Sequence, residues 1–147
     1  MKWIVKHFSE LSREELYEAI RLRLAVFSIE QNCPYQDADG KDQRSFHLWM
    51  EDEKKEMLAY SRIVEPGVSY KEVSIGRVVT AQAVRGSGAG RELMKRSIGF
   101  IEKKYGMVPI RISAQCYLKK FYKEFNFEVI GEEYIEDHIP HVEMLRK

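Results

Sequence analysis

Between a β-prone run, Val73 to Ala83, and a helical pattern in which Met94, Ile98, Ile101 and Tyr105 share one face, the chain carries Arg85-Gly-Ser-Gly-Ala-Gly90. Glycines at every second position let the backbone turn tightly and aim several N–H groups one way, and the first turn of the next helix adds its partial positive charge. Such a unit is suited to phosphate, or is a tight left-handed turn with no ligand. The glycines alone do not separate the two.

Neighbouring residues narrow the ligand. A mononucleotide loop needs Gly-Lys followed by Ser or Thr, and here Gly90 precedes Arg91-Glu92. A dinucleotide loop needs Gly-x-Gly-x-x-Gly and an acidic residue after the following strand, whereas Gly86, Gly88 and Gly90 are evenly spaced and the strand Ile110 to Ala114 leads into Gln115.

The rest of the chain reads as mixed α/β. Trp3 to Phe8 predicts a strand, and Ser12-Arg-Glu-Glu15 has the capping-box form that opens a helix whose stripe continues through Leu16, Ile20, Arg23/Leu24 and Phe27. Glu30 to Arg44 is loop-like; Phe46 to Glu51 and Met57 to Val64 predict an antiparallel hairpin. Leu118 to Phe125 predicts a short helix, and Val129 to Tyr134 and Val142 to Leu145 two last strands. No repeat, low-complexity tract or linker interrupts this order, which predicts one domain over residues 1–147.

Composition excludes several classes of partner. Lys and Arg total 24 against 23 Asp and Glu, so no overall field draws nucleic acid or an anionic membrane, and any anion site is local. The apolar run near Met1 is too short for a signal-peptide core and no stretch has the length of a membrane span, so a cytoplasmic location is expected. Cys33 and Cys116 show no Cys-x-x-Cys or His partner; they read as free thiols, with no zinc site. His138 and His141 flank Pro140 at a metal-like spacing, but a third ligand is missing and a polar loop entering the last strand accounts for them; no metal is expected. Asp37, Asp39 and Asp42 lack the ligand alternation of a calcium loop and read as a turn or as a lure for a cationic amine.

Arg85-x-x-Gly88-x-Gly90 after a strand resembles the acyl-CoA pyrophosphate loop of the GNAT superfamily, whose consensus begins with Gln or Arg. Gln115, Tyr122 and Asn126-Phe127 fall at offsets where that family commonly carries Asn, Tyr and Gly-Phe. Gln115 departs from the Asn that often contacts pantetheine; Asn126 replaces Gly but tolerates the left-handed conformation. Leu22-Arg-Leu-Ala-Val-Phe27, Glu30-Gln-Asn-Cys-Pro-Tyr35, Asp39-Gly-Lys-Asp42, His47-Leu48 and Glu136-Asp-His-Ile-Pro-His141 are similar to the ElaA-like branch, so the resemblance covers most of the chain.

The resemblance implies a curved mixed sheet flanked by helices, with acetyl-CoA bound where two central parallel strands splay apart. Val78 and Val79 would contact pantetheine through their backbones, and the amides of Gly86, Ser87, Gly88, Ala89 and Gly90 would hold the pyrophosphate. Arg85 would add charge; Arg91 would do so too, or be an exposed helix residue. The implied reaction is direct attack of an amine, on a small molecule or a peptide, on the acetyl thioester in a ternary complex. Family analogy also brings in a homodimer, with the last strands as its contact.

An ammonium with a pKa near 10.4 is neutral about once in 2,500 at pH 7, a cost of roughly 4.6 kcal/mol. Positioning contributes about 7–11 kcal/mol, so no dedicated strong base is obligatory. Tyr122, with Tyr117 as a weaker alternative, is the family-matched acid for the thiolate, against a core tyrosine as the plain reading. Glu30 and His47 are the candidate bases; a surface carboxylate and a buried structural histidine are their plain readings, and the sequence does not choose. The alternatives are a non-catalytic acyl-CoA-sensing or partner-binding module and an acyl-enzyme on Cys33 or Cys116.

Overall fold

The computed structural model describes residues 1–147. The regular elements are β1 (Lys2–His7), α1 (Arg13–Arg23), β2 (Ser45–Glu51), β3 (Met57–Val64), β4 (Ser74–Thr80), α2 (Ala89–Tyr105), β5 (Ile110–Gln115), α3 (Lys119–Lys123), β6 (Glu128–Glu136) and β7 (Ile139–Arg146). The strands form two antiparallel sheets, ordered β1-β2-β3-β4 and β5-β7-β6. They meet at one parallel bridge, Val73 to Ile110, where the Arg111 amide donates to the Val73 carbonyl at 3.1 Å. The mixed character expected of the sheet resides in that contact, beyond which β4 and β5 part.

Local chemistry explains the ends of the elements. Ser12 Oγ accepts from the Glu15 amide at 3.0 Å and Glu15 Oε1 accepts from the Ser12 amide at 2.8 Å, so the expected capping box starts α1, worth about 1 kcal/mol. Asn126, with φ of 69°, turns the chain from α3 into β6 in the left-handed conformation expected of it.

The core has two parts. On one side α2 places Leu93, Met94, Ile98 and Ile101 in a cluster that reaches β5 through Ile112 and β7 through Met144, so both sheets share it. Each such side chain contributes about 1.5–3 kcal/mol on burial. On the other side Ala19 and Leu22 of α1 pack with Trp49, Met57 and Tyr60. Covered on both faces, β3 is buried at all eight positions, which is why it reads as a continuous apolar-rich run.

The structure departs from the expected first helix. The α-helical pattern stops at Arg23, and Leu24–Glu30 continue as a π-helix with Gln31 N donating to Val26 O at 3.2 Å. The wider turn brings Val26, Phe27, Glu30 and Gln31 to one side, where they face the gap between the sheets.

Candidate active site

Because β4 is bonded to β3 on one edge and meets β5 only at Val73, the backbone groups on its other edge stay open along Gly76 to Val79. The gap is a cleft of about 860 Å³, within the usual range for a ligand site. A bulge sits beside it: pairing slips between Tyr60 and Arg62 of β3, and Arg77 opposite takes φ of 49°. Val78, Val79, Gln115 and Tyr122 all line this cleft.

The glycine loop stands at one end. Gly86 and Gly88 have φ of 83° and 87°, the left-handed region where a Cβ is penalised, although nothing lies within 4 Å of where one would sit. Gly88 is the N-cap of α2 and offers no side chain to its first turn, which leaves the amides of Ala89, Gly90 and Arg91 without a capping acceptor. Gly90 is helical, lines the cleft and would bring a Cβ to 3.9 Å from the Phe121 ring. The arrangement presents converging N–H donors at the positive end of a 17-residue helix dipole.

Two arginines flank the loop differently. Arg85 donates to both carboxylate oxygens of Glu30, at 2.6 and 3.1 Å, and to the Thr80 carbonyl at 2.9 Å, and it lines the cleft. Arg91 lies outside the cleft lining and pairs with Glu124 at 3.1 Å on the surface. Glu30 therefore reaches the cleft, but both of its oxygens are occupied by Arg85, which corrects the picture of a carboxylate waiting for a proton.

His47 is also corrected. It is fully buried, away from the cleft lining, with Nδ1 2.6 Å from the Tyr60 hydroxyl and Nε2 3.0 Å from the Asp42 carbonyl. Burial pushes its pKa down, since a charged imidazole there loses its water. It is a satisfied core histidine.

Tyr122 is 7% exposed, held among Phe121 and Phe127 by edge-on ring contacts. Burial pushes its hydroxyl well above the usual tyrosine pKa, so it remains protonated at neutral pH. Tyr117 lines the cleft too but is 70% exposed. Neither cysteine lines the cleft: the Cys33 thiol donates to the Asp137 carbonyl, and desolvation raises the Cys116 thiol.

The acidic loop is not a free lure for a cation. Arg23, fully buried, bonds Asp37 and Asp42; Arg62 bonds Asp39 and Asp42; Arg77 bonds Asp37 and Asp39. Burial opposes ionisation at Asp39, but the hydrogen bonds and charge of Arg62 outweigh it and hold its pKa at about 2. The three carboxylates are spent on three guanidinium groups, and together they fold the loop against the cleft.

The acetyltransferase (GNAT) domain model matches residues 9–147. This chain belongs to the GNAT acetyltransferase family. It is 40% identical over 151 residues to the protein ElaA of Escherichia coli K12, covering all of this chain and 97% of that one. A UPF0039 protein of Synechocystis is 39% identical over 145 residues, 99% of this chain and 94% of that protein. Among solved structures, an acyl-CoA N-acyltransferase from Pseudomonas aeruginosa superposes over the whole of both chains with a TM-score of 0.93 at 38% identity. Escherichia coli ElaA does so with a TM-score of 0.93 at 40% identity.

Within this GNAT chain, two groups in the cleft were not legible as site residues. Arg77 lies in the bulge with its guanidinium over the Tyr35 ring at 5.1 Å, and no spacing rule signals a bulge opposite Ser61. His141 was read as part of a polar loop; it is 7% exposed and lines the cleft. The strand begins earlier than its apolar run suggests: Pro140 pairs with Ile135 inside the ladder, and alternation along β7 puts residue 141 on the opposite face from Val142.

Proposed function

We propose that the protein is an acetyl-CoA-dependent N-acetyltransferase, one domain over residues 1–147, that moves the acetyl group to an amine by direct attack in a ternary complex. The observation that carries this reading is the splayed β4–β5 edge ending at an uncapped helix N-terminus, with Tyr122 lining the same cleft. The open backbone edge at Val78 and Val79 suits the amides of pantetheine, and the amides from Gly86 to Gly90 suit the pyrophosphate.

Acetyl-CoA supplies the activated thioester; the chain supplies position and proton control. Gln115 reaches the cleft with its amide nitrogen on Gln31 at 3.3 Å and its carbonyl oxygen buried without a partner, an acceptor suited to an N–H of the pantetheine arm. Tyr122, kept protonated by burial, donates a proton to the departing thiolate. Arg85, at the start of the loop, adds positive charge beside the pyrophosphate.

The test compares thermal unfolding with acetyl-CoA, CoA, NAD and ATP, followed by CoA release with an amine panel. A ligand at 100 times its dissociation constant adds about 2.7 kcal/mol. Selective stabilisation by the CoA ligands and acceptor-dependent CoA release are expected. Stabilisation only by NAD or ATP would overturn the cofactor assignment, and CoA binding without turnover would favour a sensor.

A further inference from the structure

We propose that His141 is the group that takes the proton from the attacking amine, with Glu136 positioned to stabilise the resulting imidazolium. The inference rests on the acetyltransferase reading and assigns the base which that reading lacks. Four observations carry it, none involving the glycine loop.

First, the tautomer is set. His141 Nδ1 lies 2.7 Å from the Ile139 carbonyl, an oxygen that can only accept, so Nδ1 carries a hydrogen and Nε2 is the ring nitrogen at which a substrate proton would be taken. Second, the residue stands at the cleft. His141 pairs across β7 and β5 with Gln115, and both residues line the cleft. Third, a counter-charge stands ready: Glu136 Oε2 is 3.6 Å from Nε2, and Glu136 lines the cleft as well. Fourth, the ring is held. It stacks on Tyr134 at 6.1 Å with the planes 22° apart, and the Tyr134 hydroxyl is hydrogen-bonded to Ser113 Oγ.

The hairpin that carries these groups is strained. Glu136 pairs with Ile139 across a two-residue turn, Asp137-His138, in which both residues have positive φ, 50° and 64°. Tight hairpins of this geometry favour glycine and asparagine. The Cys33 thiol, donated to the Asp137 carbonyl, ties the turn to the segment after the π-helix. A strained turn held by a distant residue is the setting in which placement of a side chain outweighs local ease.

The proton balance is complete. The substrate ammonium gives one proton to Nε2 and becomes a neutral amine. Its nitrogen forms a bond to the thioester carbonyl carbon, and the carbon–sulfur bond breaks with the electron pair leaving on sulfur. The second nitrogen proton passes to that sulfur through the Tyr122 hydroxyl. The products are the acetamide and CoA thiol, and His141 returns its proton to solvent.

The experiment follows CoA release from acetyl-CoA by wild type, His141→Ala and His141→Gln, with spermidine, a lysine-containing peptide and free amino acids as acceptors, each with and without added imidazole. Both variants are expected to lose about 10²–10⁴-fold in kcat. Acetyl-CoA should stabilise them against heat as it does wild type, and imidazole should restore His141→Ala at least tenfold. Should His141→Ala fold poorly, His141→Gln, similar in size and able to donate to Ile139, must show the loss alone. Activity within threefold of wild type in a folded variant would overturn the assignment of His141 and leave acetyl transfer standing. A loss that imidazole does not relieve in a folded His141→Ala would mark a structural role and overturn it too. Absence of acceptor-dependent CoA release by wild type would overturn the acetyltransferase reading itself, and the assignment of a base with it.

Discussion

Arg85 Nη1 donates to Glu30 Oε1 across 2.6 Å, joining the glycine loop to the end of the π-helix. The pair is partly open to solvent, with side-chain exposures of 40% and 36%, so it is worth about 0–1 kcal/mol. It also competes with any pyrophosphate for the same guanidinium. Glu30→Gln should therefore tighten acetyl-CoA binding, by up to about fivefold, and Arg85→Glu should weaken it about tenfold or more. Isothermal titration calorimetry reads both; no tightening with Glu30→Gln, or no weakening with Arg85→Glu, would remove Arg85 from the anion site.

Removing only the hydroxyl of Tyr122 isolates its chemical role. Tyr122→Phe keeps the ring contacts with Phe121 and Phe127, so the thermal midpoint should hardly move. Turnover should fall about 10²–10⁴-fold with acetyl-CoA affinity unchanged. Steady-state kinetics beside a thermal scan decides it, and unchanged turnover would leave Tyr122 a core tyrosine.

The glycines of the loop should separate by conformation. Gly88→Ala forces a Cβ into φ of 87° and should cost roughly 1–2 kcal/mol. Gly90→Ala lies in helical backbone with its Cβ at ordinary contact distance, so the fold should hold or gain slightly. Denaturant unfolding of the two variants checks the ordering.

The buried ion network predicts a sharp contrast with surface pairs. Asp42→Asn leaves Arg23, which is fully buried, short of a counter-charge and should cost about 3–5 kcal/mol, a fall in Tm of roughly 6–20 °C. Glu92→Gln, which breaks an exposed pair with Arg96, should stay within about 0.5 kcal/mol. Calorimetric scans of both variants make the comparison.

Acid should act on the same network in two windows. His47 has a lowered pKa in the folded protein, so below about pH 6.5 the unfolded chain binds a proton that the folded one refuses, and stability falls with pH there. Asp39, at about 2, and Asp42, also lowered, contribute stability that is full above about pH 4 and lost as pH falls toward 2. Urea unfolding from pH 7 to 2 should show both, and His47→Gln should flatten the upper window alone.

Periodicity and local chemistry were enough for the strands, the capping box at Ser12, the helix after the glycine loop and the resemblance at Arg85, Gly88, Tyr122 and Phe127. These depend on residues close in the chain, where spacing is geometry. Glu30, by contrast, was open to a reading as base only because its partner is 55 residues away. The same holds for His47, whose neighbours Tyr60 and Asp42 come from another strand and a loop.

The sequence alone was sufficient for most of the elements, though not the π-helical turn, and for the family that the glycine loop resembles, because each is written in side chains within a few turns of one another. Which ionisable groups are free to act was decided by tertiary packing. The π-helical turn hands Glu30 to Arg85, the buried network takes up the acidic loop, and the pinned hairpin at Asp137 leaves His141 in the cleft with Nε2 beside Glu136. A proton site depends on burial and on partners brought together across the fold, and those distances exist only once the two sheets have parted at Val73 and Ile110.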